Sequence, residues 1–396
     1  MNKLIPLSLL VFFVTGSFVM AFNPVLAEGV AENSWNTKTP MSYARSDLGV
    51  VAVEGKIYAI GGRISNAFVG TNEQYDPVSN TWLTLKSMPT PRSNFGIVAY
   101  EGKIYCIGGT VDFTIHDNVW WDIAIACDVN EVYDIVTDSW STKAVTPFTW
   151  QYIQAHVVDG NIFVIDGAAG MVGELYMYDP VADQWIQKAS LPVSNYGLVS
   201  VVVDDKIIVT GGIDTYVNEV RIYDPKTDVW SKGKFGPSIP VSAGGAGATT
   251  GCYAPKKIYV IGYWSSDDSV INLVYDPVSD VWSTAKNMPK VRISFGIAVV
   301  DDILYVIGGH AITYNGTLGE PSFPEVYSRN EQYIPIGYQS TLLPVTSPSV
   351  TPTQSDVSVV EPEPKSYSIY LFVVALVLTV GITIAGLFFY FKKRPT

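Results

Sequence analysis

The sequence predicts an all-β fold, a six-bladed β-propeller closed by an N-terminal strand, and three observations predict it. Trp35, Trp82, Trp140, Trp185, Trp230 and Trp282 recur at intervals of 47, 58, 45, 45 and 52 residues. A second phrase keeps step with them: EGKIYAIGG from Glu54, EGKIYCIGG from Glu101, DGNIFVIDG from Asp159, DDKIIVTGG from Asp204, PKKIYVIGY from Pro255 and DDILYVIGG from Asp301. Around both phrases stand short runs of β-branched and aromatic residues bounded by turn dipeptides, which signal hairpins. Four antiparallel strands repeated at roughly 45–50 residues are the pattern of a propeller blade.

Taken in order, residues 1 to 27 hold Lys3, an apolar run over residues 4 to 22 and Val25-Leu26-Ala27, an export signal cleaved after Ala27. Residues 28 to 339 carry the six units. Each runs from an apolar stretch such as GIVAY (96 to 100), through a tight Glu-Gly or Asp-Asp turn, to a strand such as KIYCI and a double glycine. NEVYD or its equivalent follows, then a turn into the tryptophan. Paired glycines suit a sharp corner where backbones approach closely, and the Tyr and Trp rings are expected to pack between blades. Unit 6 ends at NEQYIPIGY with no tryptophan, whereas NSWNTKTPM from Asn33 has one and no blade of its own. Residues 28 to 41 are therefore expected to supply the outer strand of blade 6, leaving no open edge. Residues 340 to 366, rich in Pro, Ser, Thr and Val, read as an extended stalk. The 25 uncharged residues from 367 to 391 are long enough for a transmembrane helix, and Lys392, Lys393 and Arg394 place the tail in the cytoplasm. The expected protein is a single-pass protein of the cell membrane with its propeller outside. Gly381 and Ala385 in the helix form a small-xxx-small pair that can support a weak homodimer.

The double glycine followed by a spaced tyrosine and tryptophan resembles the kelch repeat. The pair is intact at Gly61-Gly62, Gly108-Gly109, Gly211-Gly212 and Gly308-Gly309, and units 3 and 5 depart from it with Asp166-Gly167 and Gly262-Tyr263. The resemblance covers nearly the whole exported domain. It implies a six-bladed kelch propeller and, as is common among kelch domains that bind partners, use of the face that carries the loops entering strand a and joining strands b and c.

Antiparallel order gathers unusual residues on that face. The b–c connections of units 2 and 6, residues 110 to 129 and 310 to 329, are long, a length that is rare without a function. Ahead of strand a, units 1, 2 and 6 hold Arg45, Arg92 and Arg292 in the pattern Arg-x-x-x-Gly, with Asp47, Asn94 and Ser294 two residues on. Unit 3 has Trp150 and Tyr152 there, unit 4 has Asn195, and the long unit 2 connection adds Trp120 and Trp121. Two readings stand side by side. In one, these residues form a shallow ligand-binding site, with Arg and Asn for hydrogen bonds and Trp and Tyr for a flat apolar surface. In the other, the arginines pair with Glu73, Glu131 and Glu219 and hold the fold together, while the tryptophans make a local core.

The chain has 37 acidic and 25 basic residues; between residues 28 and 340 there are 34 and 20, a net of −14 that argues against nucleic acid or an anionic membrane surface as ligand. Three cysteines cannot build a disulfide framework, and leave at most one bond, between Cys106 and Cys127. Asn315-Gly316-Thr317 is an N-glycosylation sequon if the host glycosylates exported proteins. His116, His156 and His310 fall in three different blades, unlike the clustered ligands of galactose oxidase, a copper enzyme built on a kelch propeller, so no cofactor is expected. The expected function is binding of an extracellular protein or glycan without chemistry. The rival is an exported sugar mutarotase, because the sialic acid mutarotases are exported six-bladed kelch proteins; no acid–base pair is singled out by spacing.

Overall fold

A computed structural model describes residues 31–114, 123–166, 173–192, 197–210, 219–234, 236, 242–264, 269–311 and 325–340. Six four-stranded antiparallel sheets and two short hairpins account for their strands. Strands a to d of blade 1 are Gly49–Val53, Lys56–Ile60, Asn72–Asp76 and Thr81–Leu85. Blades 2, 3, 4 and 5 begin at Gly96, Gln154, Val199 and Ser242 and follow the same order. In blade 6, Gly296–Val300, Ile303–Ile307 and Asn330–Ile334 are joined by Ser34–Lys38, which pairs antiparallel with Asn330–Ile334 and sets Trp35 opposite Tyr333. The a strands neighbour one another around a ring, with that of blade 6 against that of blade 1. Among the described residues no helix is long and apolar enough to cross a membrane. Residues 1 to 27 and 367 to 396 lie outside the described residues.

In five of the six blades the a–b turn places two consecutive residues at positive φ, for example Glu54 and Gly55 (49° and 74°) or Asp301 and Asp302 (51° and 59°), the twist a two-residue hairpin needs; blade 5 has a longer connection instead. The core is divided into six seams between blades. In one, Ile57, Ala59 and Tyr75 of blade 1 pack on Ala298, Tyr305 and Ile307 of blade 6; in the next, Tyr58 and Ile60 pack on Ile104, Cys106 and Tyr133 of blade 2. Burial of such side chains stabilises by about 25 cal/mol per Å² of apolar surface.

The Tyr and Trp of the repeat have a second job that apolar packing does not cover. In blade 2, Tyr133 stacks on Trp140 (5.1 Å between centroids) and its hydroxyl donates to Asp138 Oδ1 (2.6 Å). That oxygen also accepts the Lys86 N–H (2.9 Å), just beyond strand d of blade 1, and Trp140 Nε1 donates back to the Lys86 carbonyl (2.8 Å). Asp138 sits at positive φ, so the turn aims its side chain inward. The same latch recurs with Tyr75 and Asn80, Tyr178 and Asp183, Tyr223 and Asp228, Tyr275 and Asp280, and Tyr333 and Asn33. These tryptophans are half-buried rather than core, because one ring edge must reach the outer rim.

Candidate functional site

The double glycines make the corner on which the loop face is built. Gly61, Gly62, Gly108, Gly109, Gly308 and Gly309 all have positive φ, and a Cβ on Gly62 would lie 2.5 Å from the Ser46 carbonyl oxygen. The second glycine of each pair donates its N–H to the next blade: Gly62 to Arg92 O (2.9 Å), Gly109 to Trp150 O (2.8 Å), Gly309 to Arg45 O (3.0 Å). Residues 45, 92, 150 and 292 are thus structurally equivalent, and what they carry differs.

Arg45, Arg92 and Arg292 are fully buried, and the structure decides between the two readings weighed for them. Arg45 forms an ion pair with Glu73, and also donates to the carbonyls of Tyr43 (3.0 Å), Ala59 (2.7 Å) and Gly61 (3.0 Å). Arg92 pairs with Glu131 and Arg292 with Glu331 in the same geometry. Each arginine ties the approach to strand a onto strands b and c of its own blade. None of the three is free to meet a ligand, because each guanidinium is fully buried against its glutamate. Trp150 is likewise buried (2 % exposed). Its ring packs at a tilt against Tyr176 (5.2 Å), which occupies the position of Glu131, so blade 3 replaces the ion pair with an aromatic one. In blade 4 the corresponding position is Arg221, paired with Glu219 two residues earlier, just ahead of the strand; Glu219 therefore answers to Arg221 and Lys232 rather than to a loop arginine. Arg-x-x-x-Gly also acquires a reason. A Cβ on Gly49, Gly96 or Gly296 would run into Phe95, Ile153 or Val50 of the following blade, at 2.7, 2.8 and 2.2 Å.

Two residues on, the chain does reach the surface. Asp47, Asn94, Tyr152 and Ser294 have φ of 55°, 53°, 56° and 57°, and Gly197 of blade 4 has 70°. Asp47 donates its N–H to Ser294 O (2.8 Å) and Asn94 donates to Asp47 O (3.0 Å), so the backbone forms a belt along the blade 6, 1 and 2 side of the channel mouth. Left-handed backbone there aims these side chains at a cavity of about 410 Å³ with an apolar floor that includes Leu48, Phe95, Ile153 and Phe295. The structure brings Asp47, Asn94, Tyr152 and Ser294 together; Trp120, Trp121, Asn195 and Asn315 lie outside the described residues.

The wall also holds residues that sequence reasoning missed. Arg63, directly after the blade 1 double glycine, pairs with Asp47 (2.7 Å) and lies over the ring of Phe113 (5.5 Å), which in turn contacts Phe68 (5.3 Å). Phe113 belongs to Thr110–Thr114, which pairs with Ile123–Ala126, so the base of the long blade 2 connection is a hairpin. The signal available was the charged residue in Gly-Gly-Arg. Cys106 is buried, Cys127 half-buried and Cys252 exposed, and all three are free thiols.

The family model described as the KLHDC2/KLHL20/DRC7 Kelch-repeats domain matches residues 126–309, and the Kelch motif matches 44–89 and 91–144. This chain is a kelch-repeat β-propeller. Kelch-like protein 8 of Mus musculus is 37 % identical over 57 residues, 14 % of this chain and 9 % of that protein. Among solved structures, the "Structure of YjhT" superposes with a TM-score of 0.56 at 14 % identity, covering 74 % of this kelch chain and 96 % of that one, a likeness of fold.

Proposed function

We propose that this kelch propeller is a cell-surface recognition module that binds an extracellular protein or glycan at the channel mouth. One observation carries the reading: the belt of left-handed residues turns Asp47, Asn94, Tyr152 and Ser294 toward one cavity, offering donors, acceptors and an aromatic face above an apolar floor. Its one cation, Arg63 among the described lining, is already matched by Asp47, which suits an uncharged or mixed-charge ligand over a polyanion.

The described propeller ends on the face away from the mouth. Gln339 N–H donates to Tyr253 O (2.7 Å) and Tyr338 stacks on Tyr253, in the a–b connection of blade 5. Both ends therefore leave the propeller on the face opposite the mouth. In this reading residues 340 to 366 are a stalk and residues 367 to 391 a membrane helix, with residues 28 to 41 serving as the clasp of the ring.

A glycan array and a surface pull-down comparing the exported domain with Asn94→Gly and Arg63→Ala test the site. Asn94→Gly removes the side chain without straining positive φ. Both variants are expected to bind at least about tenfold more weakly while melting as the parent does; normal binding by both overturns the mouth as the site. Exchange NMR on sugar anomers addresses the mutarotase reading, since accelerated interconversion would replace recognition with chemistry.

A further inference from the structure

Below the mouth, the inner ends of four blades follow one rule, blade 4 keeps an apolar residue there with Val199, and blade 3 departs from it with a polar one. Where blades 1, 2, 5 and 6 have Gly49, Gly96, Gly245 and Gly296, the following blade leans an aliphatic or alanine side chain into the space: Ile97, Ala155, Ile297 and Val50. Between blades 3 and 4 the glycine position is Gln154 and the facing residue is Ser200, with His156 two residues along the same strand face. His156 Nε2 and Ser200 Oγ are 2.6 Å apart, and Ser200 Oγ lies 3.4 Å from Gln154 Oε1. These three line a cavity of about 220 Å³, far above the roughly 10–15 Å³ that admits one water. The opposite wall includes Val50, Ile97 and Ile297.

Polar side chains in such a place cost stability unless they are hydrogen-bonded, and aliphatic packing is what the other seams use. Among the described residues the trio's side-chain hydrogen bonds are only to one another. All three residues are part of the cavity wall. No charged side chain is among the described residues lining this cavity, and burial lowers the His156 pKa to about 4, so its ring is neutral at physiological pH.

We infer that the lower channel is a second binding site, taking a small uncharged polyhydroxylated molecule whose hydroxyls meet Gln154, His156 and Ser200 and whose carbon skeleton rests on Val50, Ile97 and Ile297. The ligand is a free polyol or the hydroxylated end of a glycan seated above it, since Leu48, Phe95, Gln154 and Phe295 line both cavities. This stands whether or not the mouth recognises a partner.

The imidazole carbon–proton signals of the exported domain provide the test, with His156 identified by its loss in His156→Gln. Glycerol, erythritol and lactose are titrated, with glycolate as an anionic control. At least one uncharged probe is expected to move the His156 signal saturably, glycolate is not, and Ser200→Ala is expected to weaken binding about fivefold. A response to the polyols unchanged in Asn94→Gly marks a free solute as the source; a response to lactose weakened in Asn94→Gly marks the end of a glycan. Absence of a saturable shift with all three uncharged probes, an equal shift with glycolate, or a shift that both Ser200→Ala and Gln154→Leu leave intact overturns the site.

Discussion

The outer rim and the inner corner of this propeller are built on opposite principles. At the rim, six copies of one latch join each blade to the one before it, with a tyrosine, an Asp or Asn and a tryptophan in the same places. At the corner, one equivalent position in strand c carries Glu73, Glu131 and Glu331, but Tyr176 in blade 3 and Arg221 in blade 4. The rim repeats because its partners are backbone groups, which every blade supplies. The corner varies because its partners are side chains, and any complementary pair that fills the space will serve.

Deleting residues 28 to 41 breaks the rim most severely. It removes one whole strand together with Trp35 and Asn33, exposes the edge of Asn330–Ile334, and is expected to cost a large share of the roughly 5–15 kcal/mol that stabilises a domain. Melting within a few degrees of the parent would show that the latch of blade 6 is dispensable.

Arg92→Ala tests the corner. It strands Glu131 in a buried position, and about 3–5 kcal/mol is expected to be lost in urea denaturation. Arg92→Met with Glu131→Leu should recover most of it, as Trp150 with Tyr176 does naturally in blade 3. If the double variant is no better than the single one, the pair is more than a space filler with matched charge.

Trp140→Ala should cost about 2–3 kcal/mol, less than a fully buried tryptophan, through lost packing and the bond to Lys86. Trp282→Ala should cost about 1 kcal/mol less, since Trp282 Nε1 has no partner among the described residues. Equal losses would mean the indole hydrogen bond contributes nothing to the latch.

Acid separates the seams. His156 has a folded pKa near 4, below its usual 6.5, so the unfolded chain binds the extra proton between those values. Stability from this neutral ring is full above pH 6.5 and declines as the pH falls toward 4, by about 1–2 kcal/mol once channel solvent is allowed for. His156→Gln should flatten that part of the curve. At lower pH, Asp138, Asp183 and Asp280, held below the ordinary carboxylate range chiefly by their tyrosine hydroxyls, lose their contribution as they protonate, whereas Asn80 and Asn33 do not titrate. The smallest effect is that of Asn94→Gly on stability, expected within about 0.5 kcal/mol in the same urea assay.

What was legible in the sequence follows this division. The blade count, the turns and the glycine corners could be read because latch chemistry recurs at a fixed period. The burial of Arg45, Arg92 and Arg292 was half legible: they occur in the units that also carry the glutamate of the NE phrase, and unit 3 lacks both. Glu219 misled because the two extra residues in NEVRIYD shift it two places, so that Arg221 takes the register position. Asp47, Asn94 and Ser294 stood out by their spacing from those arginines, but their convergence depends on positive φ, which residue type only hints at. Arg63 and the Gln154, His156 and Ser200 trio carry no period at all. They are departures from a repeat, visible only once the positions they replace are known.

The route by which the chain leaves blade 6 has a mechanical consequence. Asn330–Ile334 is hydrogen-bonded on one side to Ile303–Ile307 and on the other to Ser34–Lys38, and six residues beyond its end the described chain stops on the face away from the mouth. Tension drawn lengthwise along this strand from Ile334 would load both ladders at once in shear. A strand at a sheet edge pulled sideways would open one bond at a time, like a zipper; a strand clamped between two neighbours and pulled lengthwise yields only when many bonds fail together. The blade assembled from the first and last described strands is thus the one best placed to bear such a load.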